Sequence, residues 1–221
     1  MRVRAKICGI TNWADAKLAV DAGAAALGFN FYPKSPRYIE PEAARRIVGR
    51  LPRGVQAVGV FVNSKPFAVA ALAGEVGLHS AQLHGDEPPG WAQTTAAFLP
   101  VWKAFRVNGR FRPAQLAAFR ASADTFLLDG FSRRAHGGTG RTFDWGLARR
   151  AGRFGRIVLA GGLNAENVAQ AIREARPWAI DVCSSVEARP GKKEPRKLRE
   201  FMSALATCEV TNTIGPGRLT T

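Results

Sequence analysis

Two side chains offer acid–base chemistry. Cys8, in Lys6-Ile7-Cys8-Gly9, ends a short apolar run and precedes a glycine, so its thiol can face a cavity with backbone close by. A thiol of ordinary pKa near 8.5 is only about 3% ionised at pH 7, so a basic role requires cationic surroundings. A buried, inert cysteine is the competing reading. Asp129 ends the run Leu127-Leu128-Asp129-Gly130, which predicts a partly desolvated carboxyl. To act as an acid it must be shifted upward, at about 1.4 kcal/mol per pKa unit. A helix cap or loop acceptor is the alternative.

Groups that bind anions accompany this pair. The turns Gly161-Gly162-Leu163-Asn164 and Cys183-Ser184-Ser185 are rich in small residues, so their backbone N–H groups can approach phosphate oxygens, and Gly161, Gly162, Ser184 and Ser185 are the predicted phosphate contacts. Arg37, in the proline-bounded loop Pro33-Lys34-Ser35-Pro36-Arg37, can present a guanidinium to a carboxylate. Lys6, Gly9, Asn30, His84, Arg106 and Gly138 are expected to line the same site. The stretch 130–143 departs from a nucleotide-binding P-loop, with Ala135 at the first glycine position and Arg141 at the lysine, and is read instead as a lid. No histidine, cysteine or carboxylate spacing suits a metal, and none is expected.

Positioning such groups requires a scaffold whose loops converge. Short apolar runs at 3–8, 26–31, 57–61, 80–84, 101–106, 125–129, 157–160 and 178–182 alternate with helical periodicity at 15–22, 42–51, 67–76, 90–97, 113–120, 144–151, 165–176 and 196–206. Asn12 and Asn164 supply N-cap side chains; Pro41, Pro66, Pro88, Pro89 and Pro113 suit first turns. Helices between strands imply a parallel sheet. Eight such units predict a single α/β domain, a (β/α)8 TIM barrel over residues 1–206, with 207–221 as a frayed tail. A doubly wound open sheet is the rival fold. In a barrel the chemistry sits at the carboxyl ends of the strands, where Cys8 and Asp129 both fall.

Composition narrows the partners. The 221 residues carry 46% hydrophobic and 22% charged side chains, enough for a full core. No apolar stretch suits a signal peptide or a membrane span, and three cysteines make no disulfide framework, so a cytoplasmic protein with no membrane partner is expected. The net charge of +15 favours small anionic substrates. The basic residues are scattered over predicted outer helix faces, without an aromatic-interleaved stripe, so no specific nucleic acid is expected. The sequence is compatible with a monomer or a homodimer.

Taken together, KICGIT (6–11), GFNFYPKSPRYI (28–39), VGVFVN (58–63), QLHGDE (82–87), WKAFRV (102–107), GGTGRTFDW (137–145), LAGGLNAENV (159–168) and DVCSSVE (181–187) closely resemble the phosphoribosylanthranilate isomerase family. The resemblance implies an enzyme that needs no cofactor or metal and performs an Amadori rearrangement of N-(5-phosphoribosyl)anthranilate, the third step of tryptophan biosynthesis. By similarity Asp129 is the general acid, Cys8 the general base, and Arg37 the holder of the anthranilate carboxylate. The family motif after the eighth strand reads Asp-Val-Ser-Ser-Gly-Val-Glu, whereas here Cys183 replaces the first serine and Ser185 the glycine. Ser185 would be strained if its position needs a positive φ. In a closed barrel the first and eighth strands adjoin, which would bring Cys183 near Cys8 and predicts an oxidant-sensitive site. The rivals are a sibling phosphate-binding barrel enzyme using Lys103, if that side chain points inward, and a polyanion-binding barrel without catalysis.

Overall fold

The computed structural model describes residues 3–130 and 144–208. Eight strands close into a barrel in sequence order: β1 (Arg4–Cys8), β2 (Ala26–Asn30), β3 (Gln56–Phe61), β4 (Ser80–Leu83), β5 (Val101–Arg106), β6 (Thr125–Asp129), β7 (Arg156–Ala160) and β8 (Ala179–Val182). Every neighbouring pair is parallel, and β1 completes the ring by pairing Lys6 with Asp181 and Ile7 with Val182 on β8. Closure excludes the open sheet.

The alternating direction of strand side chains builds two apolar layers. Inside the barrel lie Val58, Trp102, Ala104, Leu127, Val158 and Ala179; outside it, against the helices, lie Ile7, Leu83, Phe126, Leu128, Leu159 and Ile180. Because both faces are buried, the strands read as nearly continuous apolar runs. Lys103 falls on the outward parity of β5. Its Nζ donates to Glu87 at 2.8 Å and to the Gly85 carbonyl at 2.8 Å, which removes it from the barrel interior and from the sibling-enzyme reading.

The connecting helices are α1 (Trp13–Asp21), α2 (Pro41–Val48), α3 (Pro66–Val76), α4 (Pro89–Ala96), α5 (Trp145–Ala151), α6 (Val168–Ala175) and α7 (Pro195–Ala206). Asn12 caps α1 by accepting from the Asp15 N–H, and Pro41, Pro66 and Pro89 occupy first turns, while Pro88 is itself the N-cap of α4. Two sequence expectations are corrected. The helix expected at 113–120 is a 3-10 helix, Pro113–Phe119. The helix expected from 165 starts at Val168, because Asn164 spends its Oδ1 on the N–H groups of Glu166 and Asn167 in a preceding turn. The stretch after β8 forms a 3-10 turn, Ser184–Val186, and a small hairpin, β9 (Glu187–Arg189) with β10 (Lys192–Lys193), which the sequence reading did not anticipate. The expected tail lies outside the described residues beyond Cys208, as do Gly138, Arg141 and the expected lid except Gly130.

Candidate active site

At the carboxyl end of the barrel a cavity of about 520 Å³ is lined by residues that end strands β1, β2, β4, β6, β7 and β8 or follow them. Cys8 and Asp129 both line it, from β1 and β6. Gly9 turns the chain out of β1 with φ +77°, and the N–H groups of Gly9 and Ile10 both donate to the Gly28 carbonyl at 3.0 Å. A Cβ on Gly9 would lie 2.7 Å from Arg37 Cδ, so the glycine is required by both conformation and space. On β2, a Cβ at Gly28 would lie 2.7 Å from Cys8 Sγ and 3.0 Å from Lys6 Nζ. The bare Gly28 therefore makes the space in which thiol and ammonium meet.

The electrostatics around Cys8 favour its thiolate. A hydrogen bond from the Cys183 thiol, together with the charges of Lys6 and Lys193, outweighs burial and holds Cys8 well below the usual thiol range. Cys183, as the partner that keeps its proton, is pushed up. Lys6 lies beneath the cavity floor, 1% exposed, and donates to Asp181 Oδ1 at 2.9 Å. Burial works against its charge, yet Asp181 and Cys8 together raise it above the ordinary lysine range. Burial pushes the Asp181 carboxyl up to about 7 despite its lysine partner. Lys193, fully buried, bonds the Cys8 carbonyl at 2.5 Å and Glu187 Oε1 at 3.0 Å.

Arg37 reaches the cavity from the loop after β2. Asn30 shapes that loop, accepting from the Tyr32 N–H at 2.9 Å and donating to Ser35 Oγ at 3.2 Å, and Ser35 Oγ accepts from the Arg37 N–H at 3.1 Å. The guanidinium grips Glu187 through Nε and Nη2, the latter at 2.7 Å; among the described residues no partner is drawn to Nη1. This pairing raises Arg37 further and, with Lys193, lowers Glu187 against the effect of burial. On the opposite wall His84 Nε2 approaches Asp129 Oδ2 to 3.5 Å, and Gln82 Nε2 meets His84 Nδ1 at 2.7 Å. With Gln82 as donor, the proton of the neutral imidazole sits on Nε2, facing Asp129.

Gly161 and Gly162 follow β7 with φ of +85° and +65°, a left-handed pair that favours glycine. Asn167 fixes the turn by donating to the Gly162 carbonyl at 2.9 Å. Ser185 does not adopt a positive φ, so the anticipated strain is absent; its hydroxyl donates to the Leu163 carbonyl at 2.5 Å and ties the β7 turn to the β8 turn. Gly161, Gly162, Ser184 and Ser185 all line the cavity, as do Gly9, Asn30 and His84. Arg106 does not; it lines a neighbouring cavity of about 430 Å³. Gln82, Asp181, Glu187 and Lys193 were missed by sequence reading. Interior parity on β4 and β8 could have flagged Gln82 and Asp181, whereas Glu187 and Lys193 depend on the unanticipated hairpin. Among the described residues no three His, Cys, Asp or Glu side chains are grouped to hold a metal ion, and no helix is long and apolar enough to cross a membrane.

This geometry has close counterparts. The family profile described as N-(5'phosphoribosyl)anthranilate (PRA) isomerase matches residues 5–204. The N-(5'-phosphoribosyl)anthranilate isomerase of Citrifermentans bemidjiense is 51% identical over 200 residues, covering 90% of this chain and 95% of the relative. Among solved structures, phosphoribosyl anthranilate isomerase from Thermus thermophilus aligns with a TM-score of 0.83 at 42% identity, covering 94% of this chain and all of the other. A phosphoribosyl anthranilate isomerase in complex with reduced 1-(o-carboxyphenylamino)-1-deoxyribulose 5-phosphate aligns with a TM-score of 0.80 at 43% identity, covering 92% of this chain and 98% of that one. With a closed barrel, a family profile matched over residues 5–204 and this degree of identity over nine-tenths of its length, the chain belongs to the phosphoribosylanthranilate isomerase family.

Proposed function

We propose that this cavity converts N-(5'-phosphoribosyl)anthranilate to 1-(2-carboxyphenylamino)-1-deoxyribulose 5-phosphate, with Asp129 as general acid and Cys8 as general base. The isomerase activity and its place in tryptophan biosynthesis follow from the family; the residue roles rest on the geometry. Ring opening needs a proton delivered to the furanose oxygen; the C1'–O bond breaks as the nitrogen lone pair turns the N,O-acetal carbon into a Schiff base. Removal of the C2' proton then gives an enolamine that tautomerises to the ketone. One acid and one base on different sides of the sugar suffice. Cys8 and Asp129 reach one cavity from β1 and β6.

The observation that carries the assignment is the setting of Cys8. The Cys183 thiol and the buried cations Lys6 and Lys193 all favour its thiolate, the form a general base needs. Asp181 is the other carboxyl in the cavity. Its Oδ1 is engaged by Lys6 at the Lys6–Asp181 register, one interior layer below Cys8, which suits holding the lysine better than reaching the sugar. Arg37 offers Nη1 to the anthranilate carboxylate while Glu187 steadies the rest of the guanidinium. The turns at Gly161-Gly162 and Ser184-Ser185 take the phosphate, fixing the end of the substrate remote from the reacting carbons.

The partner is thus a small anionic substrate, with no call for nucleic acid or membrane. A monomer and a homodimer are both compatible with this reading. Three free cysteines agree with a reducing cytoplasm. The test is turnover of freshly prepared phosphoribosylanthranilate, followed by loss of anthranilate fluorescence, in the wild type, Cys8→Ala and Asp129→Asn. Loss of at least about 100-fold in kcat for both variants is expected of general acid–base residues. A Cys8→Ala enzyme that keeps its rate would move the base elsewhere.

A further inference from the structure

We infer that Cys8 and Cys183 form a dithiol modification site at which a hydroperoxide is reduced and the pair closes to a disulfide. The barrel's own closure creates the site. The last paired residues of β1 and β8 are Ile7 and Val182, so the next along each strand are Cys8 and Cys183, and both line the same cavity. Adjacent strands lie about 4.7–4.9 Å apart, inside the roughly 4.4–6.8 Å Cα separation that a disulfide requires. A Cβ on Gly9 would lie 3.1 Å from Cys183 Sγ and one on Gly28 2.7 Å from Cys8 Sγ, so both sulfurs crowd the bare Gly9 and Gly28 at this end of the strands. An open cavity of about 520 Å³ admits a small peroxide to them.

The chemistry divides unequally between the sulfurs. Cys8, beside Lys6 and Lys193, attacks the terminal peroxide oxygen as thiolate; the O–O bond breaks, the alkoxide or hydroxide leaves with a proton, and Cys8 becomes a sulfenic acid. Cys183 Sγ, 3.8 Å from Glu187 Oε1 and 4.0 Å from Lys193 Nζ, then attacks the Cys8 sulfur. The S–O bond breaks, the hydroxyl leaves as water with the Cys183 proton, and one peroxide has been reduced by two thiols. A dithiol reductant reverses the step by exchange. Serine at position 183, as in the family motif, has no sulfur with which to resolve the sulfenic acid. The third cysteine, Cys208, follows α7 and bonds the Ala204 carbonyl at 3.2 Å, on the far end of the last helix.

Peroxide-treated full-length protein, digested without reduction and mapped by mass spectrometry, tests this directly. The expected map links the Cys8 and Cys183 peptides, leaves Cys208 unlinked, and tracks a loss of isomerase activity that a dithiol restores. In Cys183→Ser the same treatment should drive Cys8 to sulfinic or sulfonic acid, with a loss that the dithiol does not reverse. Wild-type protein that yields sulfinic acid at Cys8 with no linked peptide, or that links Cys8 to Cys208, overturns the proposal whether or not the variant folds. The sulfur map is independent of the roles assigned in turnover, so its failure and theirs are read separately.

Discussion

Cys8 shows how much of a residue's chemistry lies outside its own sequence neighbourhood. The segment Lys6-Ile7-Cys8-Gly9 predicts a thiol at a strand end, but the charge that ionises it comes from Lys6 beneath and from Lys193, 185 residues away, whose Nζ bonds the Cys8 carbonyl. Removing Lys6 should expose that dependence. In Lys6→Met, the pH at which Cys8 is alkylated by iodoacetamide should rise toward the ordinary thiol range near 8.5 from a lower wild-type value. The sign follows from charge: an ammonium favours the thiolate, and its loss favours the thiol. An unchanged alkylation profile would show that Cys183 alone sets the ionisation. Arg37 teaches a related lesson, since its loop was legible as stiff and proline-bounded, but its Glu187 partner was not. Ser185, suspected of strain, proved to be a hydrogen-bonded link between two turns.

At the scale of elements, the sequence is most legible where physics is local. Seven of the expected helical segments are α-helices, because proline first turns and the Asn12 cap act within a few residues of themselves. Strand order was readable because apolar runs at both-face burial leave a strong signal. The hairpin β9–β10 left none. Four of its five strand residues are charged, and it is held by tertiary contacts: Asp15 on α1 accepts from Lys192 Nζ and from the Lys193 N–H, both at 2.8 Å. The outward Lys103 is a further case, since strand parity placed it beside Phe105 but only the fold supplies Glu87. Lys103→Met should cost about 3–5 kcal/mol in denaturant unfolding by leaving the Glu87 carboxylate buried without its cation. That carboxyl is held below its ordinary range, as its lysine and backbone donors outweigh burial. Its contribution is therefore present above a pH of about 4.3 and lost as pH falls through the lower folded value. The wild-type excess over Lys103→Met should accordingly shrink in acid; a gap constant from neutral pH to pH 3 would assign the cost to packing instead.

For the whole molecule, the net charge is +15, and most of the described lysines and arginines are exposed rather than gathered in the site. Exposed arginines are partly answered by neighbours, as in Arg45 and Arg46 with Glu42 or Arg196 with Glu200. Such exposed pairs add little stability, but the surplus creates a positive field around a cavity meant for a phosphate and a carboxylate. Steering of this kind acts on encounter. Raising salt from about 0.01 M to about 0.5 M shortens the screening length from roughly 30 Å to a few ångströms, so kcat/KM for phosphoribosylanthranilate should fall several-fold while kcat holds. A flat kcat/KM would assign the charge no part in capture.

The late hairpin also orders the assembly of the catalytic centre in time. The barrel's last strand ends at Val182, yet Glu187 and Lys193, which steady the guanidinium and charge the thiol's surroundings, come afterwards, and α7 follows them. During synthesis every barrel strand and both proposed reacting side chains are made before these two residues. A nascent chain thus carries its acid and its thiol before Glu187 and Lys193 exist, and the surroundings proposed to favour the thiolate are completed only by residues 187–193.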